Sequence, residues 1–166
     1  MIKAAVFTAA VAASGISLAD VKVIEDIDFK KIYIEGNVEV EITQGVDPSV
    51  SVRGSKSKLD PLPLRLRGDT LNLGRNDEGQ QLKHLRYKVV ASDLEAIELA
   101  GSGAVYVKPL KVDGLNLSLR GSGDLKVYDV DAEELVLTLA GSGNMQLAEM
   151  RVAGDTKIAQ IGRAHV

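Results

Sequence analysis

The chain has 166 residues, which allows one ordinary domain, and 45% of them are apolar while only 4% are aromatic. Trp is absent, so a core must be built from Val, Leu, Ile and Ala, which suits the narrow interior of a stacked β structure. The formal net charge of −3 disfavours nucleic acid as a partner, and the lack of cysteine excludes disulfides, thiol catalysis and cysteine-ligated metals.

Residues 1–19 have the layout of a secretory signal peptide. Lys3 supplies the positive start, an apolar run extends from Ala4 to Ala13, and the segment Ser17-Leu18-Ala19 places small residues just before Asp20. The run is too short to span a bilayer, and later Leu-rich stretches are interrupted by charges. We therefore predict an exported protein without a transmembrane helix, located in the periplasm, on the outer membrane surface or outside the cell.

The N-terminal half of the mature chain alternates apolar and polar residues in short runs, as in Val38-Glu-Val-Glu-Ile42, and such alternation predicts strands. Residues 74–81 are the most polar stretch and predict an exposed loop. The segment from Leu82 to Ala91 is expected to begin the first regular repeat. We expect the irregular half before it to cap an open sheet edge, because such edges invite aggregation.

The main signal is a tripeptide, Gly-Ser-Gly, that recurs with a spacing of twenty residues. Its copies are Gly101-Ser102-Gly103, Gly121-Ser122-Gly123 and Gly141-Ser142-Gly143. Alternating apolar residues precede and follow each copy, so each repeat predicts a strand, a tight turn and a second strand. A period of twenty is too short for a helix pair or a propeller blade and matches one coil of a β-solenoid.

In such a solenoid, equivalent residues of successive repeats stack. Leu99, Leu119 and Leu139 are expected to form an internal column, and the glycines are expected to form the corners, where the chain turns sharply. The three serines of the tripeptides would stack at one corner. A phosphate-binding role for Gly-Ser-Gly is disfavoured because a strand, rather than a lysine and a helix start, follows it.

Residues 21–160 resemble a bacterial family described as putative auto-transporter adhesin, head GIN domain. The resemblance depends on Phe29-Lys-Lys-Ile32, on the segment from Gly36 to Gly45, on Leu71-Asn-Leu73, and on the repeated Leu-x-Gly-Ser-Gly followed by Asp124 or Asn144. It implies a right-handed single-stranded parallel β-helix in an envelope or secreted protein, and it carries over no catalytic residue. Many members have a lipoprotein cysteine, which this chain lacks.

The last residues, 161–166, resemble the translation of a sequencing-library adapter. We expect them to be a non-native tail. The domain is then a single β-helix over residues 20–160, shortened at its C-terminus.

Candidate catalytic groups are sparse. Asp113 and Asp131 lie at predicted corners, and the adjacent Glu133 and Glu134 would point to different faces, so no stacked carboxylate pair is predicted. His84 alone makes neither a metal site nor a catalytic triad. We predict no cofactor, no metal site and no enzymatic activity.

A modest basic strip is predicted where Lys83, Arg86 and Lys88 alternate with apolar residues. With Tyr87 it is either an ordinary charged exterior or a contact for anionic glycan or lipopolysaccharide. Two other tyrosines, Tyr106 and Tyr128, occupy different positions in their repeats and predict no continuous stacking platform.

These observations favour a non-enzymatic binding or adhesion module of the bacterial envelope, with a glycan or another surface protein as partner. A structural protein that assembles into homo-oligomers is an alternative. A lyase or hydrolase acting on acidic polysaccharide is a further alternative, and it requires converging carboxylates.

Overall fold

The computed structural model describes residues 7–8, 20–75 and 79–162. Most of the predicted signal peptide and residues 163–166 of the predicted tail lie outside the described residues. The elements are β1 (Phe7–Thr8), β2 (Asp20–Glu25), β3 (Lys31–Gln44), β4 (Ser49–Gly54), α1 (Lys56–Leu59), β5 (Leu64–Arg67), β6 (Thr70–Leu73), β7 (Lys83–Ala91), β8 (Ala96–Gly101), β9 (Ala104–Val107), β10 (Leu110–Gly121), β11 (Asp124–Val127), β12 (Val130–Gly141), β13 (Asn144–Leu147), β14 (Met150–Val152) and β15 (Thr156–Gly162).

The fold is all-β, and the long strand β3 links two open sheets. The first sheet has the order β1-β2-β4-β7-β3-β9-β11-β13, and it uses the second half of β3. The second sheet has the order β5-β6-β3-β8-β10-β12, followed by β14 and β15, and it uses the first half of β3. The apolar faces of both sheets contribute to one core.

The predicted twenty-residue register is present in the parallel ladders. Leu119 is the Cα partner of Leu99 on one side and of Leu139 on the other, and all three side chains are buried. In the first sheet, Leu125 is paired in the same way with Val105 and Met145. A shorter ladder joins Leu110–Val112 to residues 130–132 and 150–152.

Close stacking of backbones explains the glycines at the corner. A Cβ on Gly123 would lie 2.5 Å from the carbonyl oxygen of Gly103, and one on Gly121 would lie equally close to that of Gly101. Gly121 also has a φ of +135°, which disfavours any side chain. The serines of the three tripeptides are exposed at this corner, and the N–H of Ser122 donates to the Gly101 carbonyl oxygen at 3.1 Å. The stacking of their hydroxyls stays a prediction.

The first segment in register with the repeats is β3, not the predicted segment from Leu82 to Ala91. Lys31 pairs with Ala96 and Gly36 pairs with Gly101, so β3 lies where a repeat twenty residues earlier would lie. The prediction of Leu82–Ala91 was wrong because a long insertion separates β3 from β8 in sequence. Strand β7 lies instead on the other side of β3, opposite β9.

The N-terminal half covers the edge of β3 in both sheets, as expected of a cap. Strand β7 pairs with β3 in the first sheet, and β4 and β2 extend it by antiparallel pairing. Strand β6 pairs with β3 in the second sheet and forms a hairpin with β5. Phe29 and Leu59 contribute buried side chains at this end. Helix α1 has four residues, and no helix among the described residues is long and apolar enough to cross a membrane.

A glutamine side chain completes one edge of the shorter ladder. The Nε2 of Gln44 donates to the carbonyl oxygen of Lys111 at 2.8 Å, and the N–H of Lys111 donates to Oε1 of Gln44 at 2.9 Å. The side-chain amide therefore makes the two hydrogen bonds that the backbone of a neighbouring strand would make. The backbone N–H and carbonyl oxygen of Lys111 therefore have hydrogen-bond partners at this edge, where the chain leaves β3.

Candidate functional site on the outer face of the first sheet

The outer face of the first sheet carries charged and polar side chains in rows that cross the strands. Its inward residues, such as Val52, Leu85 and Val40, are fully buried, so their neighbours in sequence point outward. The pairing gives two neighbouring rows, Arg53–Arg86–Glu39–Ala104–Asp124 and Ser51–Lys88–Glu41–Tyr106–Lys126.

Two polar cavities adjoin on this face. The corner cavity, of about 370 Å³, is lined by Asn37, Glu39, His84, Arg86, Ser102 and Asp124, among others. The sheet cavity, of about 470 Å³, is lined by Val21, Glu39, Glu41, Ser51, Arg53, Arg86 and Lys88, with part of Tyr87. Glu39 and Arg86 belong to both cavities, and the Nε of Arg86 lies 3.3 Å from Oε2 of Glu39.

A β-bulge shapes the corner cavity. Asn37 pairs with Lys83 and Glu39 pairs with Arg86, so β7 has one more residue than β3 between these two pairs. Within this extra stretch His84 has a φ of +60°, a conformation that is uncommon for any residue other than glycine. The bulge places the exposed His84 side chain at the rim of the corner cavity.

The structure separates the four residues of the predicted glycan contact. Arg86 and Lys88 lie on the outer face, and Lys83 is exposed at the start of β7. Tyr87 is 1% exposed; its hydroxyl donates to the carbonyl oxygen of Pro63 at 2.6 Å and accepts from the N–H of Gly74 at 3.2 Å. Burial raises the pKa of this hydroxyl. The Tyr87 ring therefore belongs to the core and is unavailable for stacking on a sugar.

Sequence reasoning missed the residues that neighbouring strands bring beside Arg86 and Lys88. Arg53 comes from β4 and Glu39 and Glu41 come from β3, and both strands are distant in sequence from β7. The alternation around Glu39 already indicated that it points outward, but the sequence carried no signal for which strand lies next to β3.

The predicted acidic corner residues lie away from this face. Asp113, Asp131 and Glu133 line a cavity of about 250 Å³ together with Lys111, whose Nζ is 3.8 Å from Oδ2 of Asp131. Across residues 20–75 and 79–162, no group of three His, Cys, Asp or Glu side chains could hold a metal ion.

The outer face of the second sheet offers a comparable exposed ion pair. The Nε of Arg120 lies 3.4 Å from Oε1 of Glu98, and the arginine side chain is 63% exposed, against 70% for Arg86. Tyr33 is the Cα partner of Glu98; burial raises the pKa of its hydroxyl, and the carboxylates of Glu35 and Glu98 raise it further. Arg120 is therefore a matched reference for Arg86 on a different surface.

Solved structures of proteins from Parabacteroides distasonis and Bacteroides fragilis have the same fold. A protein named as a putative lipid binding protein, from Parabacteroides distasonis, has a TM-score of 0.71 at 21% identity, over 88% of this chain and 67% of its own. A putative adhesin from the same species has a TM-score of 0.62 at 18% identity, over 89% and 73% of the two chains. A putative adhesin from Bacteroides fragilis has a TM-score of 0.53 at 14% identity, over 85% and 96%.

No protein with curated annotation matches the sequence. The family profile described as putative auto-transporter adhesin, head GIN domain, matches residues 28–164, which is most of the chain. The match includes β3, the inserted N-terminal strands and every Gly-Ser-Gly repeat. The chain belongs to the putative auto-transporter adhesin, head GIN domain family.

Proposed function

We propose that this protein is a non-enzymatic binding module of the bacterial envelope or cell surface, and that it binds a polar glycan on the outer face of the first sheet. The observation that carries the proposal is the pair of adjoining polar cavities that share Glu39 and Arg86. Volumes of about 370 and 470 Å³ fall within the range of small-ligand sites. Together they offer room for neighbouring sugar units.

The chemistry of the lining favours a glycan over an acyl chain. Arginine and carboxylate groups bind hydroxyls through charge-assisted hydrogen bonds, whereas a lipid tail requires an apolar cavity. The Glu39 and Arg86 side chains are 48% and 70% exposed, so their ion pair contributes little to stability. Both groups are therefore free to exchange their mutual contact for contacts with a ligand.

The proposal includes the architecture that displays this surface. We infer that the repeats wind as a right-handed single-stranded parallel β-helix, a solenoid with about twenty residues in each coil. The shared register of Leu99, Leu119 and Leu139 supports this inference, because consecutive coils place identical positions beside each other. An experimental structure with a left-handed winding would contradict it.

Binding of the purified protein to a glycan array and to whole bacterial cells tests the proposed function. We expect Arg86→Ala to weaken binding about tenfold or more, whereas Arg120→Ala should bind like the wild type. Both arginines are exposed and ion-paired, so a general effect of lost charge would appear in both variants. Absence of binding in both assays, or equal losses in the two variants, would refute the proposal.

A further inference from the structure

Two consecutive repeats carry the same residue types in opposite order on the outer face of the first sheet. One repeat has Tyr106-Val107-Lys108 and the next has Lys126-Val127-Tyr128. Because the register is twenty residues, each tyrosine lies beside a lysine of the neighbouring repeat. Tyr106 and Lys126 are Cα partners, and Lys108 and Tyr128 follow directly after the paired strands. We call Tyr106, Lys108, Lys126 and Tyr128 the tyrosine–lysine quartet.

The backbone fixes the outward direction of the quartet. Val107 and Val127 are buried, so the residues on either side of each valine point away from the core. The N–H of Lys108 donates to the carbonyl oxygen of Ile42 at 2.9 Å, and the N–H of Tyr128 donates to that of Val107 at 3.0 Å. The alternation therefore continues past the strand ends.

Each ammonium group of the quartet lies over a tyrosine ring. The Nζ of Lys108 is 5.0 Å from the ring centroid of Tyr128, and the Nζ of Lys126 is 5.9 Å from that of Tyr106. Such cation–π contacts are weak at exposed sites, so a ligand can displace the lysine from the ring. Tyr128 is 45% exposed, so its ring is accessible to a ligand apart from a flexible lysine.

The surroundings of the quartet are weakly positive. Lys88 lies in the same row, and Glu41 lies between Lys88 and Tyr106. Asp124 lies two residues before Lys126 on the same face. Three lysines and two carboxylates therefore lie in or beside the quartet, and this excess of positive charge favours an anionic ligand over a cationic one.

We propose that the tyrosine–lysine quartet binds a uronic acid unit of an acidic glycan chain. The sugar carboxylate takes the ammonium of Lys108 or Lys126 away from its ring, and the freed ring stacks on the apolar face of the pyranose. A neutral sugar offers no anion to hold the lysine, so the ring face stays covered. This inference rests on the proposed function, and it names the ligand class and a second set of contacts on the same face.

Direct titration with tetragalacturonate, with neutral galactotetraose as the reference probe, tests the inference. The chain has four tyrosines and no Trp, so its intrinsic fluorescence reports on tyrosine. We expect tetragalacturonate to change this fluorescence and to bind at least tenfold more tightly than the neutral probe, with an affinity that falls as salt increases. The double variant Lys108→Gln/Lys126→Gln should lose this preference.

Ring variants separate stacking from loss of structure. Tyr128→Phe keeps the ring face and should retain binding, whereas Tyr128→Ala should weaken it several-fold while melting at the wild-type temperature. Equal affinity for the two probes, or unchanged tetragalacturonate binding in the double lysine variant, would overturn the inference.

Arg86→Ala distinguishes the quartet from the two cavities. Tetragalacturonate binding that survives Arg86→Ala but fails in the double lysine variant supports the quartet, even if the array and the cells show no binding. Array binding that depends on Arg86 but not on Lys108 and Lys126 agrees with the proposed function and refutes the proposed role of the quartet.

Discussion

Replacement of Gly121 by alanine should test the stacked corner, because it combines a steric clash with a left-handed φ. The added Cβ would lie 2.5 Å from the carbonyl oxygen of Gly101, and the neighbouring backbone has little room to move because both strands are paired in the sheet. The φ of +135° adds a conformational cost of about 1–3 kcal/mol. Overpacking adds about 1–3 kcal/mol, so Gly121→Ala should lose about 2–6 kcal/mol of unfolding free energy.

Three further glycines separate the two contributions. Gly123→Ala meets a carbonyl oxygen at 2.5 Å without a positive φ, and we expect a loss of about 2–3 kcal/mol. Gly68 has a φ of +60° with no atom within 4 Å of an added Cβ, and its replacement should cost about 1 kcal/mol. Gly114 has neither feature, so Gly114→Ala should be neutral or stabilise by about 0.5 kcal/mol.

Urea unfolding followed by far-UV circular dichroism measures these differences, because the backbone signal does not depend on Trp. The slope of free energy against urea concentration should stay constant across the series, so that midpoint shifts report stability. Failure of Gly121→Ala to fold, while Gly114→Ala folds normally, would agree with the reasoning. A loss below 1 kcal/mol at Gly121, or an equal loss at Gly114, would refute it.

Three other predictions concern hydrogen bonds, the apolar column and a buried hydroxyl. Gln44→Ala and Gln44→Glu should each lower the free energy of unfolding by about 1–2 kcal/mol, because neither side chain can donate to the carbonyl oxygen of Lys111. A wild-type urea midpoint for Gln44→Glu would contradict this role. Leu119→Ala should lower the free energy of unfolding by about 3–4 kcal/mol and Leu139→Ala by less, since Leu119 is 0% exposed and Leu139 is 7% exposed. A lower urea midpoint for Leu139→Ala than for Leu119→Ala would contradict the leucine column. The raised pKa of Tyr87 means that the folded state holds this proton more tightly than the unfolded state, so its stabilising contribution is complete below pH 10 and declines as pH rises further. The stability advantage of wild type over Tyr87→Phe should therefore be constant from pH 8 to about pH 10 and shrink above it, and an unchanged difference above pH 10 would contradict this titration.

The alternation of the sequence was enough to predict the inward residues of the repeats, but not that Ser118, at an outward position, is also buried. Leu115, Leu117 and Leu119 are all inward, as their spacing indicates, because successive side chains of a strand point to opposite faces. The same rule placed Tyr87 with the inward residues Leu85 and Val89. Its assignment to a glycan contact was therefore open to correction from the sequence alone.

The position of β3 could not be predicted from spacing. Gly36 fills the place of the first glycine of a Gly-Ser-Gly corner, but it is followed by Asn37 and Val38, and a long insertion follows the strand. A period is visible only where repeats follow one another directly. The pairing of β3 with β8 depends instead on burial of the whole core and on the strands that cover the other edge of β3.

The tyrosine–lysine quartet could have been predicted from the sequence, but the pattern that indicates it is easily overlooked. The reversed order of Tyr106-Val-Lys108 and Lys126-Val-Tyr128, twenty residues apart, was readable in the sequence. A comparison of equivalent positions overlooked it, because each tyrosine is beside a lysine and not beside the other tyrosine. The two tyrosines do occupy different positions in their repeats, so they do not stack on each other. A comparison of the tyrosines alone, however, missed the cluster that they form with the lysines.

The sequence by itself determined the strands, their inward and outward faces and the register of consecutive repeats, because these features follow from local backbone geometry and a regular period. Only the tertiary structure decided which distant strands lie side by side, and therefore that Arg53, Glu39 and Arg86 share one surface. Strand pairing across long insertions depends on how the whole chain buries its apolar faces and provides hydrogen-bond partners for its strand edges. A local sequence pattern cannot predict it.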